Sequence, residues 1–246
     1  MKKTTYIMLA LIVLGFVAIA LNLVLFRTFA MQPKNAVTDF GPSVTLSASG
    51  SFSELDFVTK NTGTSQIAYE VEIDSTAQGV VVECPEKIKE YVSIAVKNGV
   101  AEITNKAFDS VDKNVPVKVK IPATIRKLKN ASSCLVSLLG MDADSLVVDG
   151  SAKLIRCVAN SISVLSGDNV LFNDCEVNAL LIDEDNVYNW SVSGDKSRIN
   201  TEIITGSDYC RNNLDKGECK RVEWRPKTKN AQLQVTLSEK AVIDVK

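Results

Sequence analysis

The sequence predicts an all-β fold: a β-helix or β-solenoid ectodomain behind a single N-terminal transmembrane helix. Three observations carry that. Apolar and polar residues alternate with period two, as in Tyr69, Val71 and Ile73 against Glu70 and Glu72, the pattern of a half-buried strand. Similar segments recur at a step of 17 residues, beginning at Leu146, Ser163 and Leu180. The first 27 residues hold a long, almost uninterrupted apolar run.

That run extends from Tyr6 to Phe26, with Asn22 its one clearly polar residue. At about 1.5 Å per helical residue it is long enough to cross a hydrocarbon core of about 30 Å. Lys2 and Lys3 precede it, so the positive-inside rule places the N-terminus in the cytoplasm. Residues 1–30 are therefore read as a signal anchor. The competing reading is a cleaved signal peptide, with Ala18-Ile19-Ala20 or Thr28-Phe29-Ala30 as the small-residue site. In both readings the rest of the chain lies outside the cytoplasm: anchored on the periplasmic side of the cytoplasmic membrane, or exported. Residues 31–43, with two prolines and no periodicity, read as a linker. Residues 44–246 read as the β ectodomain, its C-terminal strands capping the stack.

Within the ectodomain, Val115, Val117, Val119 and Ile121 alternate with Pro116, Lys118 and Lys120. Proline there suits an edge or a strand start. Asn98-Gly99 separates two apolar runs and predicts a tight hairpin, since both residues tolerate positive φ. Cys84 to Val92 is the one plausible helical turn. The 17-residue step sets Val147 and Val148 against Val164 and Leu165, then Leu181 and Ile182. Leu154, Leu171 and Tyr188 close the pattern. Short strands and turns at a fixed step indicate stacked coils, because one coil cannot bury its own apolar face. An ordinary sandwich or meander is the alternative.

Composition narrows the chemistry. Lys and Arg number 28 against 29 Asp and Glu, so no basic face argues for nucleic acid. There is no histidine, which excludes Ser-His-Asp and Cys-His catalysis and His-ligated zinc. The six cysteines lack C-x-x-C spacing. Outside the cytoplasm an even count permits disulfides, and Cys210 with Cys219, flanking a polar insertion, is the pair expected. Cys157 and Cys175, 18 residues apart, are near enough in register either to bridge or to serve as small buried apolar residues.

Three stretches resemble a known family. They are SGSFSELDFVTKNTGTSQIAYEVEID from Ser49, VVVECPEKIKEYVSIAVKNGVAEIT, and VPVKVKIPATIRKLKNASSCLV. With the recurring Ser-Gly-Asp turns, they resemble the auto-transporter adhesin, head GIN domain family, exported β-helical proteins of the Bacteroides lineage. The likeness covers about Ser49 to Thr205; the tripeptide nearest to Gly-Ile-Asn is Arg198-Ile199-Asn200. It implies a β-helical fold and a surface or periplasmic location, and supplies no catalytic residue.

The candidate ligand-facing turn gathers Asp149, Asp168, Asp183, Glu184 and Asp185, with Asp168 and Asp185 a repeat apart. Such carboxylates suit a hard cation only when six to eight oxygens converge; solvated turn residues are the plainer reading, and no metal or cofactor is assigned. Tyr188 and Trp190 sit at i and i+2, and either stack on a sugar or partner or fill the core. Asn130 and Asn189 begin N-glycosylation patterns. Ser75, Ser110 and Ser145 follow aspartate, in triplets resembling acceptors of Bacteroides-type O-glycosylation. The function expected is a non-enzymatic, adhesin-like binding or scaffold domain of the cell envelope, with a glycan or envelope protein as partner. A self-associating structural β-solenoid and a small carbohydrate-active enzyme are the alternatives.

Overall fold

Alternation becomes strand throughout. The structure, a computed structural model, describes residues 40–65, 67–108, 114–210, 219–234 and 241–246, with side chains apart from those of 61–65, 107–108 and 209–210. These residues fall in one unit, Asp39–Lys246. The expected membrane helix and most of the linker lie outside them.

The first strands are β1 (Ser43–Ser49), β2 (Glu54–Ser65), β3 (Ile67–Ile73) and β4 (Gly79–Pro85). A 3-10 helix, Glu86–Tyr91, follows where a helical turn was expected, and buries Ile88. β5 (Val92–Lys97) and β6 (Val100–Phe108) form the predicted hairpin. Asn98 and Gly99 both take positive φ, 53° and 79°, as a tight antiparallel turn requires. Next come β7 (Val115–Ile121), β8 (Lys127–Asn130), β9 (Leu135–Leu139), β10 (Asp142–Gly150) and β11 (Ala152–Ile155). The chain continues with β12 (Val158–Ser166), β13 (Val170–Asn173), β14 (Glu176–Asp183), β15 (Trp190–Ser193) and β16 (Arg198–Gly206). It ends with β17 (Tyr209–Cys210), β18 (Cys219–Pro226), β19 (Gln232–Leu233) and β20 (Val242–Val245).

Two large sheets result. One runs β1-β4-β7-β3-β9-β11-β13-β15, the other β20-β18-β16-β14-β12-β10-β8-β2-β6-β5; β17 and β19 form a small third sheet. The all-β expectation stands, but the uniform β-solenoid over 44–246 does not. Strand β4 pairs antiparallel with β1 and β7, and β5 with β6. Strand β2 sits between β6 and β8, and β3 between β7 and β9, so stacking order departs from chain order. From β8 to β16 successive strands alternate between the two large sheets and pair in parallel.

The fixed step of 17 is also corrected. Val148 pairs with Val164 and Val164 with Ile182, offsets of 16 and 18. In the other sheet Leu154 pairs with Phe172 and Phe172 with Val192, rather than with Leu171 and Tyr188. The true rows are apolar and, apart from half-buried Val192, buried. A slip of one residue would turn each side chain to the opposite face.

The core lies between the large sheets as ladders of like residues. Val148, Val164, Ile182, Ile204 and Trp224 form one row of the ten-stranded sheet, all buried. Val82, Val119, Val71, Leu138, Leu154 and Phe172 form a facing row at 0 % exposure. Each such burial contributes about 1.5–3 kcal/mol relative to an exposed side chain. One row holds a charge-bearing exception. Leu146, Ile162 and Leu180 lead to Glu202, which is fully buried.

Candidate binding surface

The acidic turn residues do not converge. Asp149 is next to last in β10, where its Oδ1 accepts from Ser166 Oγ at 2.7 Å and its Oδ2 lies 4.0 Å from Lys127 Nζ. Gly150 beside it packs on backbone: an added Cβ would lie 2.2 Å from Asn130 O. That glycine serves close packing rather than a ligand. Asp168 is exposed and its N–H donates to Ser151 Oγ. Gly167 bridges to Val187, so Asp168 is out of step with Asp185. The Glu184 N–H donates to Thr205 O.

Asp183 and Asp185 do meet, on a cation of the chain's own. Lys227 Nζ donates to Asp183 Oδ1 at 2.5 Å and to Asp185 Oδ2 at 2.8 Å. Ser207 adds its N–H at 2.7 Å and its hydroxyl at 2.8 Å to Asp185. The lysine, then Ser207, hold the Asp185 carboxyl down at about 2. The ammonium occupies the place between these carboxylates that a bound cation would take. The turn is thus a tie between β14 and the segment after β18. Sequence reading missed Lys227 because it lies 42 residues from Asp185.

A second feature crosses the outer face of the ten-stranded sheet. Asn160 donates to Asp144, Asn178 to Asn160, Asn200 to Asn178, and Lys220 to Asn200, the last three at 3.1, 3.2 and 3.0 Å. A signal for it was present. Asp144, Asn160, Asn178, Asn200 and Lys220 each stand two residues before a core-row residue: Leu146, Ile162, Leu180, Glu202 and Val222.

Two shallow hollows lie on the outer faces. On the eight-stranded sheet, Leu135, Ser137, Lys153, Asn169 and Leu171 are among the residues lining a hollow of about 280 Å³. Leu135 is 59 % exposed, and among the described residues no carboxylate pairs with Lys153. On the ten-stranded sheet, Leu165, Leu181, Ile203, Thr205 and Arg225 are among those around a hollow of about 190 Å³. There Arg225 is already bound to Glu223, Nε to Oε1, at 2.5 Å. Leu135 was not singled out from sequence, because an exposed leucine is unremarkable until its neighbours are known.

The aromatic pair is split. Trp190 opens β15 and is 1 % exposed, whereas Tyr188 precedes the strand and is 83 % exposed. Trp190 Nε1 donates to Glu202 Oε1 at 2.6 Å, as a buried indole N–H requires. This contact satisfies one oxygen, Oε1, of the carboxylate in an apolar row. Cys219 stands nearby as a buried free thiol donating to Arg221 O at 3.0 Å. Burial, then the Glu202 charge, push it up to about 12. Cys219 follows Ile199 in an inward row, so its side chain belongs to the core. The expected Cys210–Cys219 bridge is not formed in this structure; the Cys210 side chain lies outside the described residues.

Cys157 and Cys175 are buried and free. Contact with Cys175, then burial, push the Cys157 thiol well up. Ser75 lies on an exposed turn, Ser145 is half-buried in β10, and Ser110 lies outside the described residues. Asn130 is 7 % exposed and donates to Cys134 O and Ser151 O, which closes it to a glycan.

No family model matches the chain, and no curated protein matches it. Among solved structures it is similar to a candidate adhesin from Bacteroides fragilis. Identity there is 13 %, TM-score 0.47, and the match covers 83 % of this chain and 96 % of that one. A candidate adhesin from Parabacteroides distasonis matches at 14 % identity and TM-score 0.47, covering 84 % and 98 %. A candidate lipid-binding protein from the same species matches at 14 % and 0.46, covering 84 % and 97 %. The head GIN family of the sequence resemblance is matched by no model.

Proposed function

We propose that this chain is a non-enzymatic, adhesin-like binding or scaffold module of the cell envelope. Its contact surface is the outer face of the eight-stranded sheet around Leu135, Lys153 and Leu171. The supporting observation is that Lys153, with no carboxylate paired to it among the described residues, lies beside exposed Leu135, whereas several other cations are held by carboxylates. Lys129 is bound to Asp56, Lys120 to Glu83, Lys227 to Asp183 and Asp185, and Arg225 to Glu223. Lys153 stands beside exposed Leu135 and half-buried Leu171, with hydroxyl and amide groups around it. That combination suits a glycan or envelope component presenting an anion next to an apolar group.

The test is binding of the full chain to glycan arrays and envelope extracts. Leu135→Asp and Lys153→Glu are each expected to weaken capture at least tenfold with folding unchanged. Undiminished binding by both variants would move the surface elsewhere. We further propose that the Tyr6–Phe26 run remains as the membrane anchor, with the sheets on the far side of the membrane. Mass spectrometry of the mature N-terminus decides this; a start near Leu21 or Met31 overturns it.

A further inference from the structure

The apolar rows of the core stop without cover at β20. Ile243 is in register with Val222, and Val245 with Trp224. Val222 and Trp224 are buried, yet Ile243 and Val245 are 52 % and 71 % exposed. Among the described residues no strand pairs with the outer edge of β20. The backbone of that edge is poised for one. Lys246 N–H is bound to Trp224 O, so by alternation the Val245 N–H and C=O point away from β18, to the free edge.

We propose that this edge pairs antiparallel with the same edge of a second copy of the chain, about a two-fold axis at Val245. This goes beyond the binding reading and uses a different surface. The argument for a second copy is self-complementarity. A two-fold axis normal to the sheet keeps inward residues opposite inward ones, so it passes through Ile243, Asp244 or Val245. An axis at Asp244 sets two carboxylates face to face, which is destabilising. An axis at Ile243 sets Asp244 against Val242. An axis at Val245 sets Asp244 of each copy against Lys246 of the other, twice. Those charges are already part of a network: Arg221 holds Asp244, and Lys246 holds Glu223. These diagonal ion pairs offset the carboxylates of Glu223 and Asp244, which stand in register, and the junction adds a further cation beside each Asp244. Val245 meets Val245, extending the Ile204–Trp224–Val245 row from one core into the next. Such a contact is isologous and closes at a dimer.

The test uses the full chain in mild detergent. Val245→Cys treated with a short bismaleimide is expected to give covalent dimer well above the wild-type blank. Ile94→Cys, at the opposite end of the sheet, is expected to give none beyond it. No excess dimer from Val245→Cys, or equal dimer from Ile94→Cys, overturns the proposal. By light scattering, Val245→Lys is expected to raise the dimer dissociation constant at least tenfold, with an unchanged circular dichroism spectrum. Val245 is exposed in the single chain, so that variant leaves the fold intact. Association that survives Val245→Lys overturns the proposal.

Discussion

The two ends of the ten-stranded sheet are finished in different ways. At the first end β5 turns back antiparallel on β6, and the 3-10 helix lays Ile88 over the rows, 1 % exposed. At the last end β20 continues the parallel run and leaves Val242, Ile243 and Val245 exposed. Strand β5 is itself an edge strand, but β1 and the 3-10 helix pack against that end, whereas no described element packs over β20. Buried polar groups occur toward both ends, Asn105 and Thr104 near the first and Glu202 and Ser197 nearer the last.

Core truncation separates the ends most strongly. Phe57→Ala, in the first part of the stack, removes a fully buried ring that lies 4.8 Å from that of Tyr69. It should destabilise by about 3–5 kcal/mol in chemical denaturation. Ile243→Ala, half exposed, should cost well under 1 kcal/mol. Equal losses would mean that Ile243, which lies outside the Val245 junction, is buried in solution by another segment.

Legibility followed the same division. The hairpin at Asn98-Gly99 and the strands around Tyr69 and Val117 were readable because their signals are local. The repeat was seen, but its step was averaged: true offsets of 16 and 18 look like a constant 17. Tracking the polar residue outside each row, from Asp144 through Asn160 and Asn178 to Asn200, gives the true register. The shuffled order of β2 and β3 was not readable, since both parallel partners of each lie far downstream in sequence and flank it only in space. The same holds for the site. Turn carboxylates were found, but their partner Lys227 lies too far along the chain for spacing to reveal it.

The next effect tests the polar core of the open end. Trp190→Phe keeps a ring but removes the donor to Glu202 Oε1. A buried acceptor that loses its partner costs about 1–3 kcal/mol, so Trp190→Phe should destabilise by that amount. Glu202→Leu added to it should recover much of the loss. Failure of the second change to restore stability would show that Glu202 has a role beyond satisfying the indole.

A smaller loss is expected outside the sheet. Asn178→Ala breaks the ladder at its middle, removing one donated and one accepted bond. These amides are exposed, so about 0.5–1 kcal/mol should go. Lys220→Ala at the end of the ladder removes only the bond to Asn200 and should cost less. The reverse order in a denaturation series would show that the terminal charge, rather than the amide chain, holds the row together.

The smallest effect is the tie between Asp185 and Lys227, and its sign with pH is fixed. Asp185 is held at about 2 in the folded chain, below its ordinary value of 3.8. A depressed carboxyl gives stability that is present above the unfolded value and lost as pH falls toward the folded one. Wild type should therefore exceed Asp185→Asn at pH 6, keep that margin to about pH 4, and lose it by about pH 2. The pair lies near the surface, with side chains 39 % and 30 % exposed, so solvent screening limits the margin to a few tenths of a kcal/mol. Raising the salt concentration should shrink it further. A margin that persists at pH 2 would assign the stabilisation to the Ser207 hydrogen bonds, which the asparagine amide can accept in part, rather than to the charge of Lys227.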